Sequence, residues 1–378
     1  MGVMRMRINI VLHHAEMSGG ARVVAIHAQQ LMKRGHDVTV VSTPLPPPGW
    51  RDVARSLVRD RRMPAETVLG PSHLDGTGVP HRVIERYRPV ADDDLPDADI
   101  VMATWWRTAP WVAALSPAKG IKCHLVQHYE DWGLGESTIA DVDAAYRLPL
   151  FKICVSQWLA EMMRTKFGCR DAACVFNGVD LEQFQTPPRE KRPAPTVGML
   201  YSPQPFKGCR WTMQAVEMAR REIADLQLVA FGNEDPLDDL LPPQGTRFYR
   251  HPPQERIGDI YSACDAWLVG SRSEGFGLPI LEAMACRTPV ISTPVGAAPE
   301  LVIGGGGSLV EFEDVSAMAQ QIVRYITMSS AQWRECSDLA FAVASGHSWS
   351  RSVDEMERVL LDKIARACPV REAAESCK

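Results

Sequence analysis

Short apolar runs separated by polar turns recur along the chain. Arg7-Ile-Asn-Ile-Val-Leu12 reads as a buried strand. A polar, glycine-bearing turn follows from His13 to Gly20, then a helical stretch to about Arg34, with Gly35 as its stop. Asp37-Val-Thr-Val-Val41 predicts a second strand. Strand, helix, strand is the unit of a parallel sheet with helices on its faces. Residues 44–90 are irregular and rich in Pro and Arg, poor strand or helix material except around Arg51 to Arg62. The alternation resumes with strands expected at Asp99–Thr104, Lys122–Gln127 and Phe151–Val155, a helix through Phe167, and a closing strand at Ala172–Phe176. Thr186–Pro195 is proline- and charge-rich, which is linker chemistry, and the domain boundary is placed there. The second half starts afresh with a strand at Thr196–Leu200, a helix over about Lys207–Arg221 and a strand at Leu226–Phe231. Short apolar strands follow at Ala266–Val269 and Pro289–Ser292, with helices at 278–286, 314–327, 331–344 and 349–366. The pattern predicts two Rossmann-like α/β halves facing across a cleft, where strand carboxyl ends and helix N-termini meet a ligand.

Composition narrows this without changing it. A chain of 378 residues suggests two or three domains, and 46% hydrophobic with 23% charged residues excludes wholesale disorder or a fibrous protein. The 41 basic and 46 acidic residues give a net charge of −5, so no global basic field exists to hold nucleic acid. No apolar run approaches the roughly 20 residues of a membrane span. The short apolar stretch after Arg5 and Arg7 runs straight into His13-His14, unlike a signal peptide, and a cytoplasmic protein is expected. The 10 cysteines are scattered, with no Cys-x-x-Cys pair, and read as reduced thiols.

The stretch Ser271 to Pro294 holds the most informative chemistry. Glu274 sits in a glycine-bearing loop, and Pro279 suits the first turn of a helix, where its missing N–H costs nothing. Amides near Gly277 and Leu278 are then unpaired donors at a helix N-terminus, suited to a phosphate. Glu282 follows Glu274 with seven residues between them, and a helical side chain tilted N-terminally reaches back toward the same ligand. A carboxylate beside a diphosphate makes sense only if it binds hydroxyls.

This stretch resembles the Glu-x7-Glu signature of the family 4, retaining, nucleotide-sugar-dependent glycosyltransferases of the GT-B fold. Asn177-Gly-Val-Asp180, Met17-Ser-Gly-Gly20, Lys207-Gly208 and the run from His251 through Tyr261-Ser-Ala-Cys-Asp265 fit the same family in order and spacing, over about residues 7–310. The resemblance implies an acceptor-binding domain at 1–190, a nucleotide-sugar-binding domain at 191–350, and a final helix from about 351 to 378 packing back on the first. It places Glu274 by the transferred sugar, with Gly275 and the Phe276 and Gly277 amides around its hydroxyls. Leu278 lies at the helix start, Glu282 on the ribose, and Lys207 on the diphosphate. Gly19 and Gly20 would let the backbone approach the diphosphate closely. His128 matches an acceptor-side histidine. The implied reaction moves a sugar to a hydroxyl of a glycan, lipid-linked or small-molecule acceptor, with retention and without a metal or other cofactor. Its setting would be polysaccharide, lipid-linked glycan or natural-product synthesis, in the cytoplasm or on the inner face of the membrane. One departure stands out: the family's usual arginine after the glycine of the second domain's first strand is here Met199, with Arg210 or Arg272 as candidate substitutes.

Alternatives remain beside this reading: a catalytically silent GT-B subunit, or a nucleotide-sugar epimerase or hydrolase. Asn177 and Asp180 are expected to shape a turn. Asp92-Asp-Asp94 reads as a solvated loop, not a metal site. His13 and His14 follow the first strand, with ligand contact and packing both open. Trp105, Trp106, Trp111 and Trp132 are sugar-stacking or packing residues. Arg51–Arg62 is either a solvated helix face or a basic amphipathic helix for a peripheral membrane contact.

Overall fold

The computed structural model describes residues 4–47, 70–130 and 136–367. The chain divides into two compact units. The first comprises Met1–Cys154, Ala160–Val175 and Val353–Lys378; the second comprises Val155–Leu159 and Phe176–Ser352.

The first unit is built on a seven-stranded parallel sheet. Its strands are β1 (Arg7–Leu12), β2 (Asp37–Ser42), β3 (His81–Val83), β4 (Ile100–Ala103), β5 (Ile121–Val126), β6 (Phe151–Cys154) and β7 (Ala173–Cys174). Their order is β3-β2-β1-β4-β5-β6-β7. The central strand β4 is apolar throughout because helices cover both faces of a parallel sheet. Ile100, Val101 and Ala103 of β4 are fully buried, and Val11, Val41 and Ala109 pack in one core with Val101 and Ala103. The helix Gly19–Lys33 starts on Ser18, whose hydroxyl accepts from the Ala21 amide at 3.3 Å. In the last helix, Trp349–Ala367, Glu357 accepts hydrogen bonds from Arg34 at 2.9 Å and His36 at 3.0 Å. Those bonds tie Val353 onward to the first unit.

The second unit carries a six-stranded parallel sheet of β8 (Thr196–Leu200), β9 (Gln227–Gly232), β10 (Arg247–Arg250), β11 (Ala266–Val269), β12 (Val290–Ser292) and β13 (Gly307–Leu309). Their order is β10-β9-β8-β11-β12-β13. Val197, Met199, Leu228, Leu268 and Ile291 form its core with the helices Cys209–Ala219 and Val315–Thr327.

Three strands depart from the sequence expectation. β3 lies inside 44–90, which offered no strand pattern, and β10 and β13 were likewise unmarked. Each lies at the edge of its sheet, is three or four residues long, and is half-exposed. Backbone pairing makes such strands, so no apolar run announces them. The stretch 186–195 also behaves differently from a linker. Arg189 donates to the Thr288 hydroxyl at 2.8 Å, Lys191 to the Met328 carbonyl at 2.9 Å, and the Arg192 amide to Asp265 at 2.7 Å. Its charges strap it to the second unit. The crossings between units fall instead at Cys154–Val155, Leu159–Ala160, Val175–Phe176 and Ser352–Val353. Arg51–Arg62 and Trp132 lie outside the described residues.

Candidate functional site

Each sheet has one point where the strand order reverses direction, and ligands of open α/β sheets bind beyond the strand ends there. In the second unit that point lies between β8 and β11. The chain leaving β8 makes a 3₁₀ turn at Pro205–Lys207, so Lys207 precedes the helix Cys209–Ala219 and is not its first residue. Gly208 links the two with φ 63°, and a Cβ there would sit 1.8 Å from the Gly270 carbonyl oxygen. Only glycine lets the loop after β8 press against the loop after β11. The Arg272 amide completes the join by donating to the Phe206 carbonyl at 2.7 Å.

This close approach brings Lys207 to Glu274. The ammonium donates to both carboxylate oxygens, at 2.8 and 2.9 Å, and the Ser271 hydroxyl donates to Oε1 at 2.7 Å. Lys207, Ser271, Glu274 and Gly277 line one depression with Met199 and Gly270. The loop carrying Glu274 is fixed on both sides. The Gly275 carbonyl accepts from the buried Ser156 hydroxyl at 2.7 Å and the Trp158 indole at 3.3 Å. The carbonyl of buried Phe276 accepts from the Ala297 amide at 2.8 Å.

Gly277 (φ 92°) caps the helix Leu278–Ala285, with Pro279 in its first turn. Helix N-termini leave their first amides without intrahelical partners, and these carry partial positive charge. Glu282, 7% exposed, accepts a hydrogen bond from the fully buried Tyr261 hydroxyl at 2.9 Å. The Tyr261 ring is locked edge-on against Trp267, with centroids 4.5 Å apart. The result is a cation, a loop carboxylate, a helix N-terminus and a second carboxylate held from below. An anion flanked by hydroxyl groups fits such a set.

The first unit holds the remaining sequence candidates. Gly19 opens the helix Gly19–Lys33, and a Cβ built on it meets nothing within 4 Å. A Cβ on Gly20 would touch only Gln127, at an ordinary 3.5 Å, and neither glycine has a left-handed φ. The fold therefore does not itself require glycine at either place. His128 follows β5, and its Nδ1 lies 2.8 Å from the Tyr129 carbonyl, with its own carbonyl accepting from Tyr146 at 2.7 Å. Asp94 is bound by Arg88, and Asp92 accepts from the Ser116 amide at 2.9 Å, so both serve the local turn. Among the described residues, no group of three or more His, Cys, Asp or Glu is placed to hold a metal ion, and no helix is long and apolar enough to cross a membrane.

Comparison with known families matches two models in tandem. Residues 17–183 match Glycosyltransferase Family 4, and residues 194–328 match Glycosyl transferases group 1. The chain combines the two glycosyltransferase family domains on a GT-B fold. It is similar to O-antigen chain mannosyltransferase B of Escherichia coli, 32% identical over 156 residues, or 39% of this chain and 40% of that one. With D-inositol 3-phosphate glycosyltransferase 1 of Catenulispora acidiphila it shares 27% identity over 350 residues, covering 80% and 81% of the two chains. Matches to the first curated relatives span only 27–40% of those proteins' length. Among solved structures, Anabaena HepE in complex with UDP and glucose superposes with a TM-score of 0.71 at 17% identity, over 95% of this chain and 100% of that one.

Within this GT-B chain, Met199 is a core residue, 2% exposed. Neither suggested substitute arginine is free to replace a missing cation. Arg210 is bound to Asp239, and Arg272 lies over the Phe312 ring at 4.6 Å and 3.5 Å from Glu313. Sequence reasoning missed Ser156 and Trp158, which lie more than 110 residues from Gly275 and bear no local mark. It also missed the role of Tyr261, whose only sequence cue is a tyrosine on the buried side of a helix, beside Ile257 and Ile260.

Proposed function

We propose that this protein transfers a sugar from a nucleoside-diphosphate sugar to a hydroxyl acceptor with retention at the anomeric carbon. The second unit takes the donor and the first takes the acceptor. One observation carries the reading: a Lys207–Glu274 pair at the second sheet's reversal point, beside the N-terminus of Leu278–Ala285.

As the C1–O bond to the diphosphate breaks, positive charge builds on the sugar ring and negative charge on the leaving phosphate. The Lys207 ammonium and the amides at Gly277 and Leu278 meet that negative charge, and fixed donors of this kind are the usual largest catalytic contribution. Glu274 and the Gly275–Phe276 backbone hold sugar hydroxyls. Glu282, oriented by Tyr261, holds ribose hydroxyls. Gly19 and Gly20 leave room for the diphosphate, and His128 stands on the acceptor side. The acceptor oxygen attacks C1 on the face the phosphate leaves, and its proton passes to that phosphate. Glu274 is not the nucleophile, since a double displacement needs a second carboxylate for the acid–base step. No step calls for a metal. The setting proposed is glycan or lipid-linked glycan assembly in the cytoplasm, where nucleotide sugars are made, with the inner membrane face as one surface for it.

A second reading, a silent sugar-nucleotide-binding subunit, is favoured by buried Met199 and by the engagement of Arg210 and Arg272 elsewhere. Nucleotide release from UDP-, GDP-, dTDP- and ADP-sugars, with and without Glu274→Ala, separates the two. Slow release that the mutation abolishes supports transfer. Thermal stabilisation by one nucleotide with no release, even over a broad acceptor panel, supports the silent subunit.

A further inference from the structure

The first sheet reverses its strand order between β1 and β4. The residues leaving those two strands are His13-His14 and Thr104-Trp105-Trp106-Arg107. They gather in one cluster. The His13 ring packs edge-on to Trp105 at 4.6 Å and to Tyr87 at 5.5 Å, and the Trp105 and Trp106 rings lie 5.6 Å apart. The Arg107 guanidinium sits against both indoles, at 5.3 and 4.9 Å, and the two rings meet edge-on. His13 is buried, but His14, Tyr87, Trp105 and Trp106 remain only half-buried.

A chain of hydrogen bonds runs through these rings. Tyr87 meets His13 Nε2 at 2.9 Å, His13 Nδ1 meets His14 Nδ1 at 2.7 Å, and His14 Nε2 meets Glu16 at 2.9 Å. Burial holds the His13 imidazole neutral, down at about 4, and the bond to His14 keeps the Glu16 carboxyl below its ordinary range. Glu16 can only accept, so His14 Nε2 donates to it, and the two rings carry the chain back to the Tyr87 hydroxyl. The Tyr87 oxygen and the exposed Glu16 carboxylate keep acceptor capacity at the two ends of the chain.

Taking the first unit as the acceptor unit, we propose that the Trp105–Trp106 indoles and the Tyr87–His13–His14–Glu16 chain bind an uncharged pyranose ring of the acceptor. The apolar face of a pyranose stacks on an indole, and its ring hydroxyls are donors in search of acceptors. The chain offers those acceptors at both ends. The substrate class follows: the acceptor carries a pyranose ring, so it is a glycan or glycoside and not an aglycone alcohol.

The test measures binding of the methyl α- and β-pyranosides of glucose, galactose and mannose to the full chain, by saturation-transfer NMR and titration calorimetry. It uses wild type, Trp105→Ala, the milder Trp105→Phe, and His14→Gln. Thermal shift with UDP, GDP, dTDP and ADP runs alongside on every protein. One glycoside should bind the wild type. Trp105→Ala and His14→Gln should weaken it about ten-fold or more, the scale of a lost stacked ring or paired hydroxyl, with Trp105→Phe between. The nucleotide shift should stay as in wild type, which also shows that the variants fold. Glycoside binding untouched by folded variants, or no glycoside bound by the wild type, overturns the proposal. Loss of every nucleotide shift with glycoside binding intact counts against the transferase reading while upholding this site.

Discussion

Glu274→Gln separates binding of the leaving group from turnover, and the structure sets the direction of both. In the free protein Lys207 is engaged by the carboxylate through two short bonds, at 2.8 and 2.9 Å. Charge-assisted hydrogen bonds of this kind contribute about 1.5–3 kcal/mol. A bound diphosphate must draw the ammonium away from that carboxylate and also tolerate the nearby negative charge. Glutamine keeps the shape and one acceptor oxygen but removes the charge. The nucleoside diphosphate should then bind more tightly by about 1.4 kcal/mol, or roughly ten-fold. Turnover should move the other way. The carboxylate that holds the sugar hydroxyls and supports positive charge on the ring is gone, and loss of one such transition-state contact costs about 10²–10³ in rate. Titration calorimetry with the nucleotide that stabilises the protein, and initial rates with the matching nucleotide sugar, read the two quantities. Folding stability should change by only about 1 kcal/mol, since Lys207 stays partly solvated at 24% exposure. Weaker diphosphate binding together with undiminished turnover would refute the assignment of both residues.

Other consequences follow from the same geometry. Tyr261→Phe removes the bond that orients Glu282, so KM for the nucleotide sugar should rise about three- to ten-fold with kcat little changed; equal loss in kcat would place the hydroxyl in the chemical step. Gly208→Ala puts a Cβ 1.8 Å from the Gly270 carbonyl and should cost more than about 3 kcal/mol in urea unfolding. Gly19→Ala meets nothing and should leave the thermal midpoint unchanged while slowing donor turnover; a fully active variant removes Gly19 from the ligand site. His27 is buried and held neutral, down at about 4, so the unfolded chain takes its proton first as pH falls below the ordinary 6.5. Stability is thus unaffected above 6.5 and is lost between 6.5 and 4, by about 2 kcal/mol at pH 5 for this one group. Urea unfolding at pH 7 and 5 should show a smaller acid loss in His27→Gln, and an equal loss would place the His27 proton elsewhere.

Much of this protein is legible in the order of its residues. The alternation of short apolar runs with helical periods marks ten of the thirteen strands among the described residues, because buried parallel strands are rich in apolar residues. The spacing of Glu274, Pro279 and Glu282 places a loop carboxylate and a helix start, since caps and turns are local chemistry. Three kinds of feature stay out of reach. Edge strands β3, β10 and β13 form through backbone pairing and show no side-chain pattern. The 186–195 stretch has a linker's composition, yet its side chains and amides find carbonyl, hydroxyl and carboxylate partners only once the second unit is folded.

The third kind is the set of partners at the site. That Lys207 and Glu274 are a pair, that Ser156 and Trp158 grip the Gly275 carbonyl, and that Tyr261 steadies Glu282 depend on contacts between residues 21 to 119 positions apart. The chain's own periodicity determines which residues lie on strands, on helices and in the turns between them. Strand order determines which turns meet, and no local pattern encodes it. Both reversal points, with Lys207–Glu274 at one and His13–Trp105 at the other, exist only because β8 lies beside β11 and β1 beside β4.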